Sequence, residues 1–259
     1  AGRGIGQATA LKLAEEGAHL VLNDLDQEPL DETIARIEAL GGQAVGLAGS
    51  VTEPAIGERL AALAVERFGD VHVVVTAAGY TWDGMIHRMT DDQWQAIVDV
   101  HLTGTFRVVR DAFKVMREKA RAVQEKGETP VARHIVTISS LSGFGNLGQA
   151  NYAAAKAGIA GLTRTLALEG ALFNVLANSV AFGFMDTRLT RARETQEEKV
   201  GTAVLGIPTQ RREAHIQEIP LKRPGTVEEA AGSITFLCSD LSNYVTGVLL
   251  EVNGGIHIT

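Results

Sequence analysis

The chain has 259 residues, with 24 basic and 31 acidic side chains and a formal charge of −7. An acidic balance of this size argues against a nucleic-acid or anionic-membrane binder, both of which present a basic face. Hydrophobic residues make up 45% of the chain, enough for a core, so the bulk of it is not disordered.

The opening residues, AGRGIGQATALKLAEEG, run Gly4 and Gly6 straight into a helix predicted over 7–16. Such a turn lets backbone N–H groups and a helix N-terminus face a pyrophosphate. The next apolar run, LVLND at 20–24, reads as a strand and ends in Asp24. A carboxylate there can bind the ribose hydroxyls of an adenosine and repels a 2′-phosphate. A dinucleotide fold needs a strand before its glycine turn, because the neighbours of a missing central strand would expose unpaired ladders. Residues upstream of Ala1 are therefore expected.

Further strands are predicted at 43–48, 71–77, 134–140, 174–181 and 249–254, all β-branched and near-continuously apolar. Strands of that kind are buried on both faces, as in parallel sheets. Helical patterns fall between them at 28–40, 55–68, 91–121, 149–169 and 227–237. Strand and helix alternating in this way give right-handed βαβ units and an α/β, doubly wound, three-layer sheet in one domain. Two segments leave that pattern. Residues 121–132 read as a helix end and a surface loop, and 191–218, charged and broken by Gly201, Gly206 and Pro208, read as a flap over a site. Cys238, the one cysteine, lies in the apolar run ITFLCSDL. It reads as an inert buried thiol and excludes both a disulfide framework and a cysteine-based zinc cluster. The histidines form no ligand-spaced cluster, so no metal is expected. No apolar stretch reaches the ~18 residues of a membrane span and no signal peptide opens the chain, so a cytoplasmic protein is expected.

Chemistry concentrates in ISSLSGFGNLGQANYAAAKAG, where Tyr152 and Lys156 stand one helical turn apart. A phenol with a free pKa near 10 is a poor acid or base at neutral pH, and a neighbouring ammonium favours its ionised form. A serine at the preceding strand end can hydrogen-bond the same substrate oxygen. Together they make a site for moving a proton to or from an alcohol.

These residues resemble the short-chain dehydrogenase/reductase family over nearly the whole chain, and within it the 3-oxoacyl-[acyl-carrier-protein] reductases. GRGIG is similar to the tail of the family's TGxxxGxG motif, Thr76–Gly79 to NNAG, Tyr152 and Lys156 to YxxxK, and Ala181–Thr187 to the PGxxxT segment. The resemblance implies hydride transfer between a nicotinamide dinucleotide and a carbonyl carbon, with Tyr152 as acid/base and Lys156 lowering its pKa. It places dinucleotide contacts on Gly2, Arg3, Gly4, Ile5, Gly6, Asp24, Leu25, Ser50, Val51, Ala78, Gly79, Tyr152, Lys156, Gly183, Met185 and Thr187. The expected substrate is a 3-oxoacyl or (3R)-3-hydroxyacyl thioester. A dehydrogenase of another secondary alcohol and a non-catalytic dinucleotide-binding regulator are the alternatives. Relatives imply a homotetramer or homodimer built on helices near 91–121 and 149–169.

The chain departs from the family in several places. Spacing from Tyr152 fits Ser139 as the catalytic serine, whereas the SSxSG pattern read from the strand favours Ser140. His101 stands where many members carry a catalytic Asn, and is expected to join a proton relay. Ser50 replaces an adenine-contacting Asp, Thr76 the first Asn of NNAG, and Phe182 the usual Pro. Arg3 resembles NADPH-preferring members while Asp24 opposes a 2′-phosphate. The close like-charge clash outweighs one flexible arginine, so NAD(H) is expected over NADP(H).

Overall fold

A computed structural model describes residues 1–195 and 199–258. Its helices are α1 (Gly4–Glu15), α2 (Gln27–Ala39), α3 (Ile56–Phe68), α4 (Asp91–Val98), α5 (Gly104–Gln124), α6 (Ala150–Gly170), α7 (Thr209–Glu218) and α8 (Val227–Leu237). Its strands are β1 (His19–Asp24), β2 (Gln43–Ala48), β3 (Val73–Thr76), β4 (Arg133–Ser140), β5 (Val175–Phe182), β6 (Lys199–Val200), β7 (Ala203–Val204) and β8 (Leu249–Val252).

The parallel strands fall into two groups, β1 beside β2, and β3-β4-β5-β8 in that order. In β4 and β5 every residue but Ser140 is buried, and alternate side chains serve opposite layers. Ile135, Val175 and Ala177 pack with Val109 and Met116 of α5 and Leu166 of α6. Val136, Ile138, Val180 and Phe182 pack with Ala230, Ile234 and Leu237 of α8. A third cluster joins Ala10 and Ala14 of α1, Leu22 of β1, and Leu30 and Ile37 of α2. The outcome is the expected α/β doubly wound sheet with helices on both faces. Asp24, Thr76, Ser140 and Phe182 all close their strands at the carboxyl edge, where open α/β sheets hold their ligands.

Two local expectations need correction. The helix expected over 91–121 is interrupted: Asp99–Thr103 form a π-helical turn that takes in one extra residue. The helix then runs on to Gln124, so the surface loop starts later than the composition suggests. The flap region is built from a 3₁₀ turn at Arg193–Thr195, the antiparallel pair β6–β7 and α7, and its residues 196–198 lie outside the described residues. Cys238 is half-buried, and burial pushes its thiol up to about 12, which leaves it protonated and unreactive.

Candidate active site

β4 delivers two serines in succession, and the pleat sends them to opposite sides. Ser139 is buried and its hydroxyl donates to the Lys156 carbonyl at 2.9 Å, tying β4 to α6. Ser140 is half-exposed. Its hydroxyl accepts from the Ser142 N–H at 3.1 Å and faces the Tyr152 phenol. Lys156, one turn beyond Tyr152 on α6, is 4% exposed. Its ammonium donates to the Ile138 carbonyl at 2.6 Å and sits 5.5 Å from the centre of the Tyr152 ring.

Burial sets the protonation of this pair. It pushes the Tyr152 phenol up to about 12 against the opposing pull of the Ser140 hydroxyl, and it pushes Lys156 down to about 7. The expected lowering of the phenol by the lysine does not act in the chain by itself. The lysine is desolvated too, and the charge it would lend is depleted at neutral pH.

His101 sits in the π-helical turn, 2% exposed, with its ring 5.0 Å from that of Tyr152 and perpendicular to it. Nε2 lies 2.7 Å from the Tyr80 carbonyl and 3.3 Å from the Tyr80 N–H. The shorter contact assigns the proton to Nε2, and Nδ1 is then a buried acceptor with no partner among the described residues. Burial, joined by the charge on Lys156, brings the imidazole down to about 3, so it is neutral at every working pH. Gly79 makes room for it: a Cβ there would collide with the His101 ring.

The glycine turn faces the same strand edge. α1 begins with no side-chain cap and no acidic residue in its first turn, so its leading N–H groups are open to an anion. Gly4 takes a φ of +57°, and a Cβ built on it would meet nothing, so space lies in front of it. Gly2 is fixed by proximity: its N–H donates to Asp24 Oδ2 at 2.7 Å, and a Cβ would strike Pro29 at 2.8 Å. Arg3 Nη1 reaches Asp26 at 2.7 Å and Asp24 at 3.6 Å. Ile5 turns inward onto the α8 side of the core, and Gly6 closes toward Ala77.

The remaining expected contacts line this edge. Leu25 is exposed beyond Asp24. Ser50 bonds Thr52 at 2.8 Å, and Val51 packs against Gly104 so closely that a Cβ there would meet it at 2.8 Å. Ala78 and Gly79 follow β3, and the buried Thr76 hydroxyl has no partner among the described residues. Gly183 packs against Asn253, and Met185 is buried beside Gly225. Thr187 heads a tight turn, its N–H donating to Thr190 Oγ1 at 3.1 Å. A buried ammonium, an uncapped helix start with open space before it, and an acid at the end of β1 fit a nicotinamide dinucleotide.

Asp83, Tyr80 and Gln149 belong to this neighbourhood and escape the sequence reading. Gln149 donates to both Asp83 oxygens at 3.0 and 3.2 Å, and burial pushes the Asp83 carboxyl up. The two segments meet through the bridge of Gly84 to Gln149, the Gly84 N–H donating to the Gly148 carbonyl at 2.8 Å and the Asn151 amide donating to the Trp82 carbonyl at 3.1 Å, and nothing local in the sequence announces it. α7 stacks His215 on Phe184 at 5.6 Å and pairs Arg212 with Asp186 at 3.1 Å.

Residues 1–257 match the family model described as Enoyl-(Acyl carrier protein) reductase. The 3-oxoacyl-[acyl-carrier-protein] reductase FabG of Thermotoga maritima is 37% identical over 259 residues, covering 100% of this chain and 95% of that protein. Its namesake in Escherichia coli is 35% identical with the same coverage, and the 3-oxoacyl-[acyl-carrier-protein] reductase of Synechocystis is 37% identical over 99% of this chain and 94% of its own length. No helix among the described residues is long and apolar enough to cross a membrane. With whole-length relatives of one kind, and a tyrosine, a lysine and a glycine turn gathered at one sheet edge, the chain is an oxidoreductase and belongs to the short-chain dehydrogenase/reductase family.

Proposed function

We propose that the protein reduces a 3-oxoacyl thioester to the (3R)-3-hydroxyacyl thioester with NAD(H), or runs the reverse reaction. The observation that carries this reading is the Ser140 hydroxyl facing the half-buried Tyr152 phenol, with the Lys156 ammonium 5.5 Å from its ring centre. Two hydroxyls converging from β4 and α6 can hold one carbonyl oxygen. Hydrogen bonding there polarises the carbonyl and stabilises the charge that gathers on oxygen. Bound nicotinamide dinucleotide supplies or accepts the hydride. A phenol raised to about 12 is fully protonated at neutral pH, and the negative charge that gathers on the carbonyl oxygen as hydride arrives makes that oxygen basic enough to take the Tyr152 proton in the reducing direction. Lys156, poised near neutrality, restores the tyrosine proton. His101 holds the Tyr152 ring in place and offers Nδ1 to the proton path.

The reading is tested by following NADH at 340 nm with acetoacetyl and crotonyl thioesters. Oxidation with the first and not the second is the expected result. The reverse pattern would make the protein an enoyl reductase, as the description of the matching family model runs. Oxidation with neither thioester but with a steroid, sugar or small ketone would assign another secondary alcohol, and cofactor binding without any turnover a regulator. Tyr152→Phe should cut turnover by at least ~10²-fold, the usual scale of general acid/base catalysis, while NADH still binds.

The preference for NAD(H) rests on Asp24. Its carboxylate is fixed by the Gly2 N–H, and Arg3 is already drawn to Asp24 and Asp26. A 2′-phosphate would meet this acid and compete for that arginine. Asp24→Ala should weaken NADH and tighten NADPH in direct binding, and an unchanged ratio would transfer the preference to Arg3 or to backbone contacts.

A further inference from the structure

Strand register brings the end of β8 close to Ser140. Ser140 pairs with Phe182, and Phe182 with Val252, so the three residues stand side by side at the carboxyl edge. The chain leaving β8 turns back across the end of β5, where Gly183 packs against Asn253. Gly254 makes the turn at a φ of +66°, and a Cβ there would strike Ile219 at 2.8 Å. The polar groups of the turn close on one another. Asn253 Nδ2 donates to Glu251 Oε2 at 3.1 Å and to the His257 carbonyl at 2.8 Å, and the Gly255 N–H donates to Asn253 Oδ1 at 2.8 Å.

This turn carries His257 to the segment that follows Ser140. The Glu251 carboxylate only accepts, so His257 Nδ1 donates to it at 2.7 Å. That bond fixes the plane of the imidazole, a torsion that is otherwise broad. The ring lies flat on Phe144, with centroids 4.9 Å apart and planes 18° from parallel. Phe144 ends the 3₁₀ turn Leu141–Phe144, which Ser140 caps. The hydrogen bonds of Ser142, Gly145 and Asn146 run within that stretch of chain and shape it without fastening it to the body. Gly143 rests on the α6 backbone, where a Cβ would lie 3.3 Å from the Ala157 nitrogen. At the far end of the turn, the contact is the His257 stack.

We propose that His257 is a positioning residue for the reaction: stacked on Phe144 and steered by Glu251, it holds the turn after β4 so that the Ser140 hydroxyl stays aimed at the Tyr152 phenol. The inference deepens the reading of Ser140 and Tyr152 above and rests on it. A hydroxyl that polarises a carbonyl has to be placed within a fraction of an ångström. The Ser140 oxygen also accepts from the Ser142 N–H, so a turn free to shift would carry the hydroxyl with it. The returning limb of the flap shares this footing, because the Leu221 N–H donates to the Gly254 carbonyl at 3.3 Å.

The test pairs two measurements on the full chain, each variant being read below its melting transition. Hydrogen exchange of the stretch 141–146, followed by mass spectrometry without cofactor or substrate, should quicken ~3-fold or more in His257→Ala, the scale of one lost ring pair. In the same variant kcat for an acetoacetyl thioester with NADH should fall ~10-fold with KM kept, as for an interaction lost in the transition state. His257→Phe keeps a flat ring on Phe144 and should recover most of both. Phe144→Leu removes the stack from the other side and should give the same two losses, with no further loss on adding His257→Ala. Unchanged exchange or unchanged kcat in His257→Ala would overturn the proposal. So would a rise in KM alone, which would make His257 a substrate contact, and so would losses that His257→Phe does not recover or that add in the double variant. If the unaltered protein turns over no ketone, the reading of the site fails by itself, and the exchange of 141–146 still decides whether His257 holds the turn.

Discussion

Ser139 and Ser140 are neighbours in sequence and belong to different parts of the molecule. Ser139 fastens β4 to the α6 backbone, while Ser140 faces the phenol. Ser139→Ala should lower unfolding free energy by ~1 kcal/mol, the usual net worth of one hydrogen bond, with turnover nearly kept. Ser140→Ala should leave the urea midpoint almost unmoved and cut turnover by ~10²-fold, the scale for one lost oxyanion donor. A reversal of the two effects would move the catalytic role to Ser139. Spacing from Tyr152 fits Ser139, but a loop absorbs a one-residue change without cost to the sheet, whereas strand register fixes the side to which each serine points. The protonation of Tyr152 and Lys156 was not legible at all. It depends on how completely each is desolvated, and residues far away in the chain set that.

The strands were the most legible elements, since apolar runs such as HIVTISS and NVLANSVA have few other places to go than the middle of a sheet. The helix interruption at Asp99–Thr103 was not legible, because a wider helical turn leaves the apolar spacing on either side nearly unchanged. β6 and β7 are two residues each, too short for any alternation to show. On α6 the composition was informative in a different way. Ala160 packs inward, but Ala157 and Gly161 are exposed, no atom would meet a Cβ on Gly161, and Leu168 is 81% exposed. A stripe of small residues ending in an uncovered leucine suits close docking of the same helix from a second copy. Gly161→Glu should therefore shift the protein to monomer in sedimentation, and a monomeric unaltered protein would refute assembly through this face.

For the molecule as a whole, the buried site makes stability depend on pH. His101 is brought from 6.5 down to about 3, and Lys156 from 10.5 down to about 7. The unfolded chain binds more protons than the folded one across both intervals, so stability rises with pH through each. Tyr152, raised from 10.0 to about 12, reverses the trend above pH 10. Urea midpoints should accordingly be higher at pH 8.5 than at pH 5.5, and His101→Asn should flatten the acid limb between pH 6.5 and pH 3. An equally steep acid limb in that variant would place the acid sensitivity elsewhere. The sheet and its helices thus carry the site's electrostatic cost, which is largest at the acid extreme.

The two ends of the flap leave from adjoining backbone. Met185 bridges Gly225, Asp186 N–H donates to the Gly225 carbonyl at 2.8 Å, and Gly225 N–H to the Phe184 carbonyl at 2.9 Å. Everything between those residues is a closed excursion whose length and contents do not change the distance the sheet must span. Such a part can be exchanged or rebuilt while the proton-transfer machinery underneath stays put. The stretch is still anchored to the body by its own buried side chains Ala203, Leu205 and Ile219. New choices of guest are therefore open to this scaffold by rewriting one stretch of chain, provided that the rebuilt version keeps those three anchors.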